Sequence, residues 1–145
     1  MNKWDHRFLD LALRIATWSK DPSTKVGAVI VRPNRTLASI GFNGFPREVD
    51  DTPERLEDRA TKLQFTLHAE MNAILSAAEP LVGYTLYVAP LIPCGNCAAA
   101  IVQAGIKRVV AFMPHIPERW EDSFAAGKAM FSEAKVELEV SDGHC

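Results

Sequence analysis

The sequence is short of the features that would place it in a specialised class. It has only three cysteines, Cys94, Cys97 and Cys145, in 145 residues. A sparse, odd set argues against a disulfide-stapled fold and for a reducing, cytoplasmic setting. No apolar run approaches the roughly 20 residues needed to cross a bilayer. The opening M-N-K-W-D-H-R-F lacks the apolar stretch of a signal peptide. Nor is there an excess of positive charge, since 16 Lys and Arg against 18 Asp and Glu leave a formal net charge of −2. A general basic field that gathers nucleic acid is therefore excluded, whereas a local cationic pocket for one phosphate is not. Repeats, low-complexity tracts and linkers are also missing, so residues 1–145 are expected to form a single domain with its own core.

What is present reads as helices alternating with strands. From Asp5 to Trp18, Phe8, Leu11, Ala12 and Ile15 recur at helical spacing. V-G-A-V-I-V (Val26–Val31) is a β-branched strand, and Pro33-Asn34 turns the chain into a second one, T-L-A-S-I-G-F, as an antiparallel hairpin. A polar helix is expected from Pro53 to about Phe65, and an apolar one from Thr66 to Ala78. Y-T-L-Y-V-A is a strand, and a helix from Gly95 to Ala104 stops at Gly105. R-V-V-A-F-M and V-E-L-E-V are strands separated by a long segment with a helical pattern, a connection suited to parallel neighbours. The expectation is an α/β protein with three layers, α/β/α, around a five-stranded mixed sheet whose last strands are parallel.

Two short stretches carry chemistry. T-L-H-A-E-M-N-A-I (Thr66–Ile74) sets His68 and Glu70 two apart at a helix start, where they do not face each other, so an ion pair explains them poorly. P-C-G-N-C (Pro93–Cys97) puts two thiols at another helix start, where free N–H groups and the helix dipole favour thiolate. Alone, that C-x-x-C fits a redox dithiol as well as a metal clamp. If the two helix starts converge, His68, Cys94 and Cys97 make a nitrogen-and-sulfur set suited to zinc. Three protein ligands leave the fourth tetrahedral position to water. Glu70, in the first turn, then reaches that water without being a ligand and acts as the proton carrier.

H-A-E at His68–Glu70 together with P-C-G-N-C matches the H-x-E…P-C-x-x-C signature of zinc deaminases. The chain resembles the cytidine deaminase superfamily over nearly all its length, and within it the deoxycytidylate (dCMP) deaminases. S-K-D-P-S-T-K-V-G-A-V-I-V, G-F-N-G-F-P-R, H-A-E-M-N-A-I-L, T-L-Y-V-A-P-L-I-P-C-G-N-C-A and A-G-I-K-R-V-V are similar to segments of that family. The resemblance implies a cytidine deaminase-like fold, one catalytic zinc per chain, and hydrolysis of dCMP to dUMP and ammonia. It implies Asn43 on the sugar or phosphate side, Lys20 near the phosphate, and the backbone of Ala69 at the amide edge of the pyrimidine. His115 falls where many members have a tyrosine near the phosphate. A homo-oligomer, often a hexamer, is implied too, with dCTP and dTTP as regulators through the segment holding Gly41, Phe42 and Gly44. Phe42 stands where tyrosine is usual. The stretch between Arg47 and His68 is short and without cysteine, so the second, structural zinc of some members is not expected.

Plainer readings stand beside these. Asn43 also fits a turn, Lys20 a surface lysine and His115 a loop histidine. Arg55, Glu57, Asp58, Arg59 and Lys62 read as a solvated helix face, and Trp120 with Phe124, one turn apart, reads as core. A structural zinc site completed by His144 or Cys145 would make the chain a zinc-stabilised binding module rather than an enzyme. Within the same chemistry, deaminases of dCTP or CMP remain open. A tRNA adenosine deaminase would need a basic surface that the net charge does not supply. A nucleoside cytidine deaminase fits parallel last strands poorly.

Overall fold

The computed structural model describes residues 1–143, so His144 and Cys145, and any metal site completed by them, lie outside the described residues. β1 (Gly27–Val31) and β2 (Leu37–Phe42) form the antiparallel hairpin expected from the sequence. β1 also pairs antiparallel with β3 (Thr85–Ala89), and from there β3, β4 (Arg108–Phe112) and β5 (Glu137–Ser141) run parallel. The five strands lie in the order β2-β1-β3-β4-β5, a mixed sheet with its last strands parallel as anticipated.

Helices cover both faces, which is why β1 reads as an unbroken apolar run. On one face, α1 (Lys3–Ala16) sets Phe8, Leu9, Ala12 and Ile15 against Val29, Val31, Tyr87 and Val110. On the other, α4 (Ala69–Ser76), α5 (Gly95–Gln103) and α6 (Glu121–Glu133) enclose the second core around Ile30, Leu86, Val88 and Val109. α1 starts at Lys3, earlier than expected, because Asn2 accepts from the N–H groups of Trp4 and Asp5 while Asp5 accepts from that of Asn2. No helix among the described residues is long and apolar enough to cross a membrane.

Two further boundaries shift, each for a local reason. The polar helix from Pro53 to Phe65 is two helices, α2 (Pro53–Glu57) and α3 (Arg59–Phe65). Asp58 between them is extended and accepts from the N–H of Thr61, capping a new helix instead of continuing the old one. Neither helix buries a residue, so no core contact opposes the break. The apolar helix begins at Ala69, not Thr66, because Leu67 pairs with Gly44 in an isolated bridge.

Close approach explains two glycines. A Cβ at Gly27 would lie 2.0 Å from the carbonyl oxygen of Ala12 in α1. One at Gly41 would lie 2.4 Å from the oxygen of Ala69 and 2.5 Å from the nitrogen of Ala73. Gly41 thus lets β2 press directly on α4, a packing duty whatever else its segment does.

A charged cluster ties α1 to the sheet. Asp5 is 1% exposed and accepts from Arg108 at 2.7 and 3.0 Å and from the Tyr87 hydroxyl at 2.8 Å. Arg108 also donates to Glu139 on β5 at 2.7 Å. Burial by itself would raise the Asp5 carboxyl, but hydrogen bonds from Arg108, the Asn2 backbone and Tyr87 outweigh it and hold the group well below the usual carboxylate range. Asp5→Ala leaves Arg108 and Tyr87 without their buried partner and is expected to lower stability by about 3–5 kcal/mol in denaturant titrations. Because the folded-state value is depressed, this contribution is full above about pH 4 and is lost as pH falls below that. Asp5→Asn should therefore flatten the stability profile below about pH 4; a variant as acid-sensitive there as the parent contradicts the assignment.

Candidate active site

α4 and α5 begin at His68 and Cys94, and neither of these side chains caps its own helix. Serine or aspartate at such positions would turn back to accept N–H groups. Here the imidazole and the thiol turn away from the helix and meet. Nδ1 of His68 lies 3.4 Å from Sγ of Cys94 and 3.3 Å from Sγ of Cys97. All three donor atoms lie within 4.8 Å of one another. Tetrahedral zinc, with bonds of about 2.3 Å to sulfur and about 2.0–2.1 Å to nitrogen, separates such donors by about 3.5 Å. Nitrogen and sulfur thus already stand at the spacing one zinc ion requires. Both cysteines are buried, free thiols.

The electrostatics suit a site that gives up protons to a metal. A hydrogen bond from Cys97 pushes the Cys94 thiol down to about 4 against the effect of burial, with His68 helping. The same bond, together with burial, pushes Cys97 up. His68 is raised by its hydrogen bond to Cys94, burial opposing. The three donors share hydrogen bonds at one point, and a cation that replaces their protons takes over that role. Ser123 of α6 accepts from the Gly95 N–H at 2.9 Å, which fixes the start of α5.

Glu70 stands apart from the donor set. It sits in the first turn of α4, 4% exposed, and burial pushes its carboxyl up to about 7. Its own backbone N–H and His68 favour the charged form, and a bound cation would favour it further. A carboxylate placed this way can exchange protons with whatever occupies the open ligand position.

A cavity opens over these groups, with His68, Ala69, Glu70 and Cys94 in its lining. Asn43 lines it too and is 6% exposed. Its Oδ1 accepts from the Val26 N–H and its Nδ2 donates to the Thr24 carbonyl, both at 2.8 Å. Asn43 is not at positive φ, so bracing the 24–26 loop, and not a left-handed turn, accounts for its burial. The structure thus brings Asn43, His68, Ala69, Glu70, Cys94 and Cys97 together. It does not bring Lys20 or His115 to the cavity lining. Lys20 is paired with Asp51 at 3.0 Å and lines a neighbouring groove with Trp18, Phe42 and Gly44, while His115 is exposed on the connection before α6.

Other residues line the cavity that sequence reasoning had assigned elsewhere. Arg59 and Lys62, expected on a solvated face, are among them. Their i, i+3 spacing put them on one side of α3, a signal that was readable but carried no direction. Trp120 and Phe124 pack on the core as expected and line the cavity as well, with the Trp120 ring edge-on to His68 at 6.3 Å and stacked on Phe124. Trp120 ends a short 3-10 turn (Glu118–Trp120) that α6 follows, so its ring is aimed by a bend that helical periodicity does not show.

Residues 2–113 match the family described as the cytidine and deoxycytidylate deaminase zinc-binding region. The chain belongs to this deaminase family. It is 44% identical over 142 residues to an uncharacterized deaminase in the luxG 3' region of Aliivibrio fischeri, covering 95% of this chain and 93% of that one. Human deoxycytidylate deaminase is 38% identical over 144 residues, covering 92% of this chain and 77% of its own length. Among solved structures, the dCMP deaminase of cyanophage S-TIM5 in complex with dCMP and dUMP superposes with a TM-score of 0.76 at 25% identity, covering 97% of this chain and 99% of the phage chain. The sheet described above is accordingly a cytidine deaminase-like fold, and the His68, Cys94 and Cys97 set lies within the matched zinc-binding region.

The contact of Gly41 with α4 is open to direct test. Gly41→Ala forces a methyl group against the helix that presents His68 and Glu70, with an expected loss on the order of 1–3 kcal/mol. Zinc affinity, measured by competition with a chromogenic chelator, should fall with it. Unchanged stability and zinc affinity would show that β2 and α4 have room to separate.

Proposed function

We propose that the protein deaminates dCMP to dUMP with release of ammonia, using one zinc per chain held by His68, Cys94 and Cys97. The observation that carries this reading is Glu70, a buried, non-ligating carboxylate beside a three-donor set that leaves one ligand position open. The deoxycytidylate deaminases among its relatives, and the phage enzyme solved with dCMP and dUMP, support the substrate. Residues 1–145 act as a single domain in this reading.

Zinc, when bound, supplies Lewis-acid activation of a water molecule. The chain's own residues handle the rest. A carboxylate oxygen of Glu70 accepts the proton of the attacking water and delivers it to N3 of the cytosine. Glu70 then takes the second proton from the hydroxyl now on C4 and gives it to the amino group on C4. A C4–O bond forms, the C4–N bond breaks, and ammonia leaves. The Ala69 backbone faces the amide edge of the pyrimidine, and Asn43, held rigid by Val26 and Thr24, faces the sugar. Trp120 and Phe124 shield the imidazole from solvent.

The parallel pairing of β4 with β5 supports a deoxycytidylate deaminase over a nucleoside cytidine deaminase. β2 is an edge strand with Leu37, Ile40 and Phe42 exposed, which supports a homo-oligomer, and the family resemblance makes that a hexamer. The groove holding Lys20, Phe42 and Gly44 is the place where dCTP or dTTP would act. Free thiols suit a cytoplasmic setting.

Glu70→Gln is expected to reduce ammonia release from dCMP by about 10²–10⁴-fold, with zinc content by atomic spectroscopy still at one per chain. Cys97→Ala should lose the metal and the activity together. Near-normal turnover by zinc-loaded Glu70→Gln removes Glu70 from the proton path. Faster turnover of dCTP or CMP keeps the chemistry and reassigns the substrate.

A further inference from the structure

α2 and α3 pack on each other and on no other helix or strand. They form a flap fastened by side chains and, just past the end of α3, by the Gly44–Leu67 backbone bridge. Lys62 binds Asp21 and Ser23, both at 3.2 Å, Lys20 reaches Asp51, and the Phe45 and Phe65 rings meet edge-on at 5.5 Å. This flap lends Arg59, Lys62 and Leu63 to the cavity lining, while the 3-10 turn before α6 lends Arg119 and Trp120.

The charges of the lining do not balance. Lys62 is matched by Asp21, and Glu70 lies buried beside the metal donors. Arg59 and Arg119 have no acidic partner within 4 Å among the described residues. In a chain of net charge −2, two unmatched guanidinium groups from separate segments face one cavity. A guanidinium fork matches phosphate oxygens two at a time. A phosphate monoester carries a charge of about −1.5 to −2 near pH 7, which two such groups balance.

We propose that Arg59 on the flap and Arg119 on the connection before α6 clamp the phosphate of a nucleoside monophosphate whose base lies at the His68, Cys94 and Cys97 site. The clamp rests on the deaminase reading above. It assigns the phosphate to these residues instead of Lys20 and His115, which do not reach the cavity. Asp21 already holds Lys62, so Lys62 positions the flap and Arg59 contacts the ligand.

The test compares compounds with and without the phosphate. Zinc-loaded wild type, Arg59→Ala, Arg119→Ala and Arg59→Lys are assayed on dCMP and deoxycytidine. Binding of dUMP and deoxyuridine to the same proteins is followed by calorimetry. Each alanine variant should lose about tenfold or more of the kcat/KM preference for dCMP over deoxycytidine, mostly through KM, and a comparable factor in dUMP affinity. Arg59→Lys should keep more of both than Arg59→Ala. Wild-type preference and dUMP affinity in both alanine variants would overturn the clamp, as would a wild type that binds dUMP no better than deoxyuridine. If wild type turns over neither compound the deaminase reading fails, and the dUMP comparison still decides the clamp.

Discussion

The site depends on the meeting of two helix starts. His68 and Cys94 occupy positions where a helix ordinarily finds a polar cap, and both decline it. The N-terminal ends of two helices then face one small volume, which favours negative charge there. Thiolate suits such a place, and hydrogen bonds from Cys97 and then His68 depress the Cys94 thiol against the effect of burial. Two like-charged sulfurs and an imidazole at this spacing are held without strain only by a cation or by shared protons. Metal affinity is in this sense built by backbone geometry before any ligand residue is counted.

That geometry rests on contacts distant from the donors. α4 is pinned by β2 through the bare backbone of Gly41, and α5 by Ser123 of α6 at its first N–H. The sheet beneath is fixed in register by two cores and by the Asp5, Arg108 and Glu139 cluster, which joins α1 to β4 and β5. Rigid floor and loose wall are thereby separated. The donors and Glu70 sit on buried elements, while the α2–α3 flap buries nothing and turns on a few side-chain tethers.

The convergence of His68, Cys94 and Cys97 was legible in the sequence because its chemistry is local. H-A-E and P-C-G-N-C each lie within a few residues, and each marks a helix start by its neighbours. The strands were equally readable, since burial on both faces leaves continuous β-branched runs such as that of β1. The rest was not readable. Arg59 and Lys62 look like any charged face until the fold shows which way α3 turns, and the restart at Asp58 sets that direction. Trp120 and Phe124 pack on the core as their spacing suggests, and what that spacing does not show is that the same two rings also line the cavity. Lys20 and His115 were assigned by resemblance alone, and the structure gives them other surroundings.

On the proposed chemistry, Glu70 works as a proton carrier only when zinc is held by His68, Cys94 and Cys97. The most direct measurement is turnover of dCMP as zinc is returned stepwise to chelated protein, with bound metal counted at each step. The account predicts activity that rises in proportion to zinc and saturates at one per chain. Full activity in protein stripped of metal, or a saturated site without turnover of any cytosine nucleotide, would contradict it.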